Sequence, residues 1–182
     1  MKKLRHETTT LYFGKLLAAR LMQTGVAQEL DLIVPVPSHW WRRLVRKVST
    51  AEVLAESVSS QLDIPWNSRL TWRVRHTTKQ GMMRAADRKA NVKGAFAAKL
   101  PSQWQGARIL LVDDVLTSGS TANEVARVLL QAGASEVSVG AIARALGDQR
   151  TSFIQEQKRN AVPILGHPVA NSVGDRDHGE KS

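Results

Sequence analysis

Ile109-Leu110-Leu111-Val112-Asp113-Asp114-Val115-Leu116-Thr117-Ser118-Gly119-Ser120-Thr121 is the stretch whose reading decides the fold. Four consecutive apolar residues predict a strand buried on both faces, as in a parallel sheet. The two carboxylates then emerge at its carboxyl end, where open α/β sheets bind their ligands. A loop of small hydroxylated residues around one glycine follows, and a helix is expected from about Ser120 to Ala132, closing at Gly133. Such a loop can surround a phosphate with backbone N–H groups and hydroxyls, and the helix dipole favours the anion. Without a ligand, the same residues make an ordinary strand-to-helix turn with Ser120 or Thr121 as its N-cap.

The two acids sharpen the chemistry. Carboxylates beside a bare phosphate would repel it, whereas beside a sugar phosphate they accept hydrogen bonds from two vicinal ribose hydroxyls while the loop holds the 5-phosphate. The Gly-x-x-x-x-Gly-Lys-Ser/Thr and Gly-x-Gly-x-x-Gly patterns of other phosphate-binding loops do not occur in this chain.

Outward from this stretch, Glu136 to Ala143 reads as a second strand, which completes a βαβ unit and makes a parallel sheet the natural architecture. Upstream, Leu11, Leu17, Ala18 and Leu21 predict a helix from about Thr10 to Gln23, and Asp31 to Val36 a buried strand ended by Pro35 and Pro37. Ser49-Thr50-Ala51-Glu52 is a capping-box pattern that opens a helix running to Leu62. Short strands are expected near Leu70 to Val74 and Gly94 to Ala97, with a long basic loop from Arg75 to Lys93 between them and a turn from Pro101 to Gly106. Residues 1–147 are read as one domain and residues 148–182 as a polar, largely disordered tail, in which Val162 to Leu165 is the only apolar cluster.

Composition adds bounds. The 182 residues suit one domain of common size, and the 42% hydrophobic fraction is enough for a core. There is no cysteine, which excludes disulfides, thiolate zinc sites and cysteine nucleophiles in this chain. No apolar run approaches membrane-spanning length, and a cytoplasmic location is expected. The formal net charge of +10 is concentrated: residues 42–108 hold fourteen Lys plus Arg against four Asp plus Glu, while the flanks cancel. A basic middle points to a polyanion, either a phosphorylated small molecule or nucleic acid; a solvated basic face is the alternative. Trp40-Trp41-Arg42-Arg43 offers rings to stack on single-stranded bases and guanidinium groups for phosphates, or else one core Trp beside surface arginines.

All thirteen positions of the opening stretch match the signature of the type I phosphoribosyltransferases, which the sequence resembles on this motif. With Leu32 to His39, Thr77-Thr78-Lys79-Gln80 and Arg88 to Phe96 in the same order, residues 4 to 145 resemble the ComF/GntX family of phosphoribosyltransferase-like proteins associated with competence and DNA use. The resemblance implies an α/β fold with a parallel sheet flanked by helices and a flexible hood loop over residues 75–93. It implies 5-phosphoribosyl 1-diphosphate, or a nucleotide, as ligand, with Mg²⁺ held mainly through that ligand and by no residue directly. Asp113 and Asp114 would hold the ribose hydroxyls and stabilise a cationic transition state, and Thr117, Ser118, Gly119, Ser120 and Thr121 would hold the 5-phosphate. Pro37, Ser38 and His39 fall in the implied pyrophosphate loop, and Arg88 is the hood cation that matches a family position. Two activities follow, transfer of the phosphoribosyl group to a base or amine, or a non-catalytic module that senses the ligand or binds single-stranded DNA or DNA-uptake proteins. The oligomeric state is left open, a homodimer included. The chain departs from the family in two places: it lacks the four-cysteine zinc finger that begins many members, so no zinc is expected, and Lys47 stands where the family tends to have glycine.

Overall fold

In the computed structural model the described residues are 2–37, 49–75, 90–144 and 164–165, with side chains described for 8–37, 49–75 and 90–144. The elements are α1 (Lys2–Gln23), β1 (Leu32–Pro35), α2 (Thr50–Leu62), β2 (Thr71–Arg73), β3 (Phe96–Ala98), β4 (Arg108–Leu116), α3 (Ser120–Gln131), β5 (Glu136–Arg144) and β6 (Ile164–Leu165). Short 3₁₀ turns lie at Val26–Glu29 and Ser102–Trp104.

Strands β1, β4, β5 and β6 form a parallel sheet in the order β1-β4-β5-β6, and β2 and β3 form a separate antiparallel ribbon. The apolar run of β4 explains why it is central. Ile109 and Leu111 face a core shared with α3 and the ribbon, whereas Leu110 and Val112 face a second core shared with α1 and α2. All four are fully buried, the result of a period-2 side-chain alternation in a strand covered on both faces. A parallel bridge from Ile33 to Trp66 on the outer side of β1 puts α2 in a crossover that runs opposite to α3, and the two helices accordingly cover opposite faces.

Helix α2 begins with the capping box read from the sequence: the Ser49 N–H donates to Glu52 Oε2 at 3.3 Å, and the Glu52 N–H donates back to the Ser49 hydroxyl oxygen. It crosses α1 closely, because Gly14 carries no Cβ to collide with Ser57, whose hydroxyl donates to the Leu11 carbonyl at 3.0 Å.

Four boundaries differ from the sequence reading. Helix α1 starts at Lys2 rather than near Thr10, since its first two turns are polar and show no apolar period. Strand β4 runs on to Leu116, so Asp113 and Asp114 lie inside the strand rather than beyond it. The N-cap of α3 is Gly119, not Ser120 or Thr121. Ile164 and Leu165, placed in the polar tail by composition, pair in parallel with Val139 and Gly140, which extends the sheet past the boundary drawn at 147. A two-residue strand after Pro163 carries too little apolar pattern to be seen in sequence.

Candidate functional site

The sheet's carboxyl edge is stepped. Strand β1 ends with Pro35 opposite Val112, and the Val36 N–H still donates to the Val112 carbonyl at 2.8 Å. Strand β4 continues four residues further, paired among the described residues with β5 alone, Asp113 opposite Ala141 and Val115 opposite Ala143. The two acids therefore stand beyond the end of β1, where Pro37 is half-buried.

Each acid is turned by the next backbone amide. The Asp114 N–H donates to Asp113 Oδ1 at 2.9 Å, and the Val115 N–H donates to Asp114 Oδ1 at 2.9 Å. Asp113 is the more enclosed. Burial, then the neighbouring Asp114 charge, raise its carboxyl to about 7, although the Asp114 amide works the other way. A carboxyl held near neutrality at the end of a buried strand can pass between neutral and ionised forms on binding a polar ligand.

The loop after Leu116 turns on Gly119, whose φ of 71° and ψ of −1° lie in the left-handed region that favours glycine. Its carbonyl accepts the Asn123 N–H at 2.8 Å, the first turn of α3. The hydroxyls of Ser118 and Ser120 are 2.9 Å apart across that turn. Thr117 is exposed, while Ser118, Ser120 and Thr121 are half-buried, so hydroxyl groups and the amides of a helix N-terminus share one small surface. Along α3, Ala122, Val125, Ala126, Val128 and Leu129 are buried and fix the helix to the sheet.

The structure thus brings Asp113, Asp114 and Thr117 to Thr121 to one end of the sheet, with Pro37 at the neighbouring strand end. Ser38, His39, Trp40, Trp41, Arg42, Arg43 and Arg88 lie outside the described residues. Sequence reading passed over the way the β2–β3 ribbon is tied down. The Arg75 guanidinium donates to the carbonyls of Asn91 at 3.0 Å and Lys93 at 2.9 Å, and the Gly94 N–H donates to Glu124 of α3 at 2.7 Å. No local pattern announces such bonds between distant residues. Inside the ribbon the Arg73 guanidinium lies 4.5 Å from the centre of the Phe96 ring.

A parallel sheet whose acidic strand end meets a glycine-centred phosphate-type loop is the arrangement of the type I phosphoribosyltransferase fold. The phosphoribosyl transferase domain model matches residues 49–166, and the chain belongs to that family. The match runs from the N-cap of α2 to one residue past β6, so it includes the sheet's last strand. Competence protein F of Haemophilus influenzae is 39% identical over 116 residues, 63% of this chain and 51% of that protein. DNA utilization protein YhgH of Escherichia coli K12 is 40% identical over 117 residues, 64% of this chain and 50% of that protein. The chain spans about half the length of these curated relatives. Among solved structures, glutamine phosphoribosylpyrophosphate amidotransferase from B. subtilis superposes with a TM-score of 0.55 at 18% identity, over 88% of this chain and 36% of that one. A Neisseria gonorrhoeae protein solved with bound ppGpp gives 0.53 at 15% identity, over 86% and 76%. These likenesses establish the fold. Among the described residues no helix is long and apolar enough to cross a membrane.

Proposed function

We propose that the carboxyl edge of the sheet binds 5-phosphoribosyl 1-diphosphate or a related ribose 5-phosphate. The observation that carries this reading is the pairing, within one strand-loop-helix junction, of two adjacent carboxylates with a left-handed glycine loop at a helix N-terminus. Thr117 to Thr121 hold the 5-phosphate, and Asp113 and Asp114 accept hydrogen bonds from the ribose hydroxyls. With both carboxyls ionised they also stabilise positive charge that develops on the ribose ring as the diphosphate leaves. Among the described residues no three His, Asp or Glu side chains converge on a metal position. A Mg²⁺ ion would draw most of its oxygens from the diphosphate, in keeping with its usual mode of binding. Pro37, Ser38 and His39 belong to the loop that would receive that diphosphate, and Arg88 is its cationic partner. The acceptor of the phosphoribosyl group is a base or amine, and the setting is cytoplasmic, with a homodimer as the assembly to test.

Calorimetric titration with phosphoribosyl diphosphate and Mg²⁺, followed by assay of diphosphate release across a panel of bases, tests this reading. Binding with release marks an enzyme, binding without release a sensor, and no binding overturns the assignment.

A second reading is favoured by the names of the relatives, a competence protein and DNA utilization proteins, and by the ribbon's surface. Trp72 is 43% exposed there, and Arg69, Arg75, Lys93 and Lys99 in and beside the ribbon are exposed as well. With Trp40, Trp41, Arg42 and Arg43 these residues suit single-stranded DNA, on which aromatic rings stack and cations pair with phosphates. Affinity for an oligonucleotide that falls steeply with salt and with alanine at the tryptophans supports it; indifference to both refutes it.

A further inference from the structure

Helices α1 and α2 lie side by side on one face of the sheet, where both bury apolar side chains against Ile33, Leu110 and Val112. Their outer sides are of different character. Leu11, Tyr12, Phe13 and Leu16, four large apolar side chains within six residues of α1, stay exposed, Tyr12 by 61% and Leu16 by 48%. The Tyr12 and Phe13 rings stand edge to face with centres 6.2 Å apart. Single exposed apolar residues are ordinary on any protein surface, but adjoining ones on one helix mark a surface suited to being covered.

The charges beside this patch are sorted by helix. From residue 8 to residue 23, α1 carries Lys15 and Arg20 and no acid. Both are exposed, and the helical period sets them on opposite sides of the row formed by Tyr12 and Leu16. Helix α2 carries Glu52 and Glu56 and no Lys or Arg, and Asp63 is its C-cap; of these, Glu56 and Asp63 are exposed. Among the described residues none of Lys15, Arg20, Glu56 and Asp63 is in an ion pair. The crossing of the helices also fixes the height of two of these charges. Gly14 and Ser57 meet there, Lys15 follows the one and Glu56 precedes the other, so the two charges stand at nearly the same level on neighbouring helices.

A surface with cations on one helix and acids on the next is complementary to itself. A two-fold axis that runs between the two helices and along them lays α1 of each copy on α2 of the other and keeps residues at their own level, so Lys15 of each copy meets Glu56 of the other. The same operation covers Tyr12 and Leu16 with the outer side of α2, where Ser59 and Ser60 are small. Pairing α1 with α1 would instead bring cations against cations. We propose that the outer face of α1 and α2 is a dimer interface of this chain, in which α1 of one copy docks on α2 of the other through Tyr12, Leu16 and two Lys15–Glu56 contacts. The inference gives the homodimer named above a surface and rests on no ligand, because the glycine loop opens α3 on the opposite face of the sheet.

Sedimentation equilibrium of the full chain over a dilution series tests this, in wild type, Leu16→Asp, Lys15→Glu, Glu56→Lys and an equal mixture of the last two. Wild type should dimerise, and Leu16→Asp should weaken the dimer by about tenfold or more. Each charge reversal alone sets like charges together at both contacts and should weaken it by about tenfold. In the mixture every contact again joins opposite charges, so heterodimers should form within about threefold of the wild-type affinity. All three positions are exposed, and thermal melts check that the variants stay folded; if Leu16→Asp does not, the reversals and their mixture decide alone. Three results overturn the proposal: wild type that stays monomeric up to about 1 mM, a dimer that none of the variants weakens, or weakening by the reversals with no recovery in the mixture. In the first case this face takes no second copy, in the second the dimer forms elsewhere, and in the third α1 does not meet α2. Titration with phosphoribosyl diphosphate is a separate result, and its failure overturns the ligand reading without touching this interface.

Discussion

From Asp113 to Asn123 the hydrogen bonds that shape the β4–α3 junction join residues one to four apart, such as Asp114 to Asp113 and Asn123 to Gly119. The bonds that anchor the β2–β3 ribbon join residues 16, 18 and 30 apart. One region is assembled by eleven consecutive residues whose types each suit the local backbone. The other is held in place by partners distant in sequence, one of which, Glu124, belongs to α3. A ligand that spans both would read a preformed pocket on one side and a tertiary arrangement on the other, so lesions in the two regions should differ in size and in which part of the ligand they affect.

The largest effect belongs to the junction. Asp113→Ala or Asp114→Ala should weaken phosphoribosyl diphosphate binding by about 1.5–3 kcal/mol, the range for a hydrogen bond to a charged group. A site built only for phosphate gives the opposite sign, because removing a negative neighbour tightens anion binding. Titration of wild type and both variants, with inorganic phosphate as the control ligand, decides between them. Next comes Gly119→Ala. At φ 71° an alanine pays a left-handed penalty of about 1–2 kcal/mol, and relaxation of the turn would move the amides at the start of α3. Thermal melts should show the stability loss, and ribose 5-phosphate titration should show weaker binding. A fully stable variant with unchanged affinity would mean that the loop geometry is not what holds the phosphate.

The same contrast explains what could be read from the chain alone. The βαβ unit, the capping box of α2 and the thirteen-residue junction are all patterns of neighbouring residues, and each has its counterpart in the structure. The extension of β4 to Leu116 was hidden because Asp113 and Asp114 interrupt the apolar run, though Leu116 is buried again. Helix α1 was legible only where Leu17, Ala18 and Leu21 bury, and its polar start left no period to follow. Strand β6 showed only as part of the apolar cluster Val162 to Leu165, and the Glu124 anchor not at all, since a two-residue strand and a glutamate on a helix have no local signature of their partners.

A smaller effect tests the electrostatics of the two acids. Burial, with the Asp114 charge, raises the Asp113 carboxyl to about 7, whereas an unfolded chain ionises an aspartate near 4. Between these values the folded state binds more protons than the unfolded one, so this group makes stability fall as pH rises from about 4 to 7. Asp113→Asn removes that contribution. Its melting temperature relative to wild type should be higher at pH 8 than at pH 4, by at least a few degrees. A difference that does not change with pH would show that Asp113 ionises as an ordinary carboxylate.

The smallest effect is expected at the ribbon's other anchor. Arg75 is exposed, so its two bonds to the Asn91 and Lys93 carbonyls compete with water and should contribute about 0.5–1 kcal/mol at most, within the range of ordinary intramolecular hydrogen bonds. Arg75→Ala should therefore leave the global melting temperature almost unchanged. Its effect should be local. The Val74 N–H donates to the Ala95 carbonyl at 2.9 Å and the Ala95 N–H to the Val92 carbonyl at 3.0 Å, and both amides lie beside the lost anchor. Hydrogen exchange at Val74 and Ala95 should accelerate severalfold, while Asn123, whose amide belongs to the junction, keeps its rate. If Asn123 accelerates equally, the two regions open as one cooperative unit and the division between a locally built side and a tertiary side is wrong. If none of the three changes, Arg75 adds nothing to the ribbon and the Glu124 bond to Gly94 is the anchor that matters.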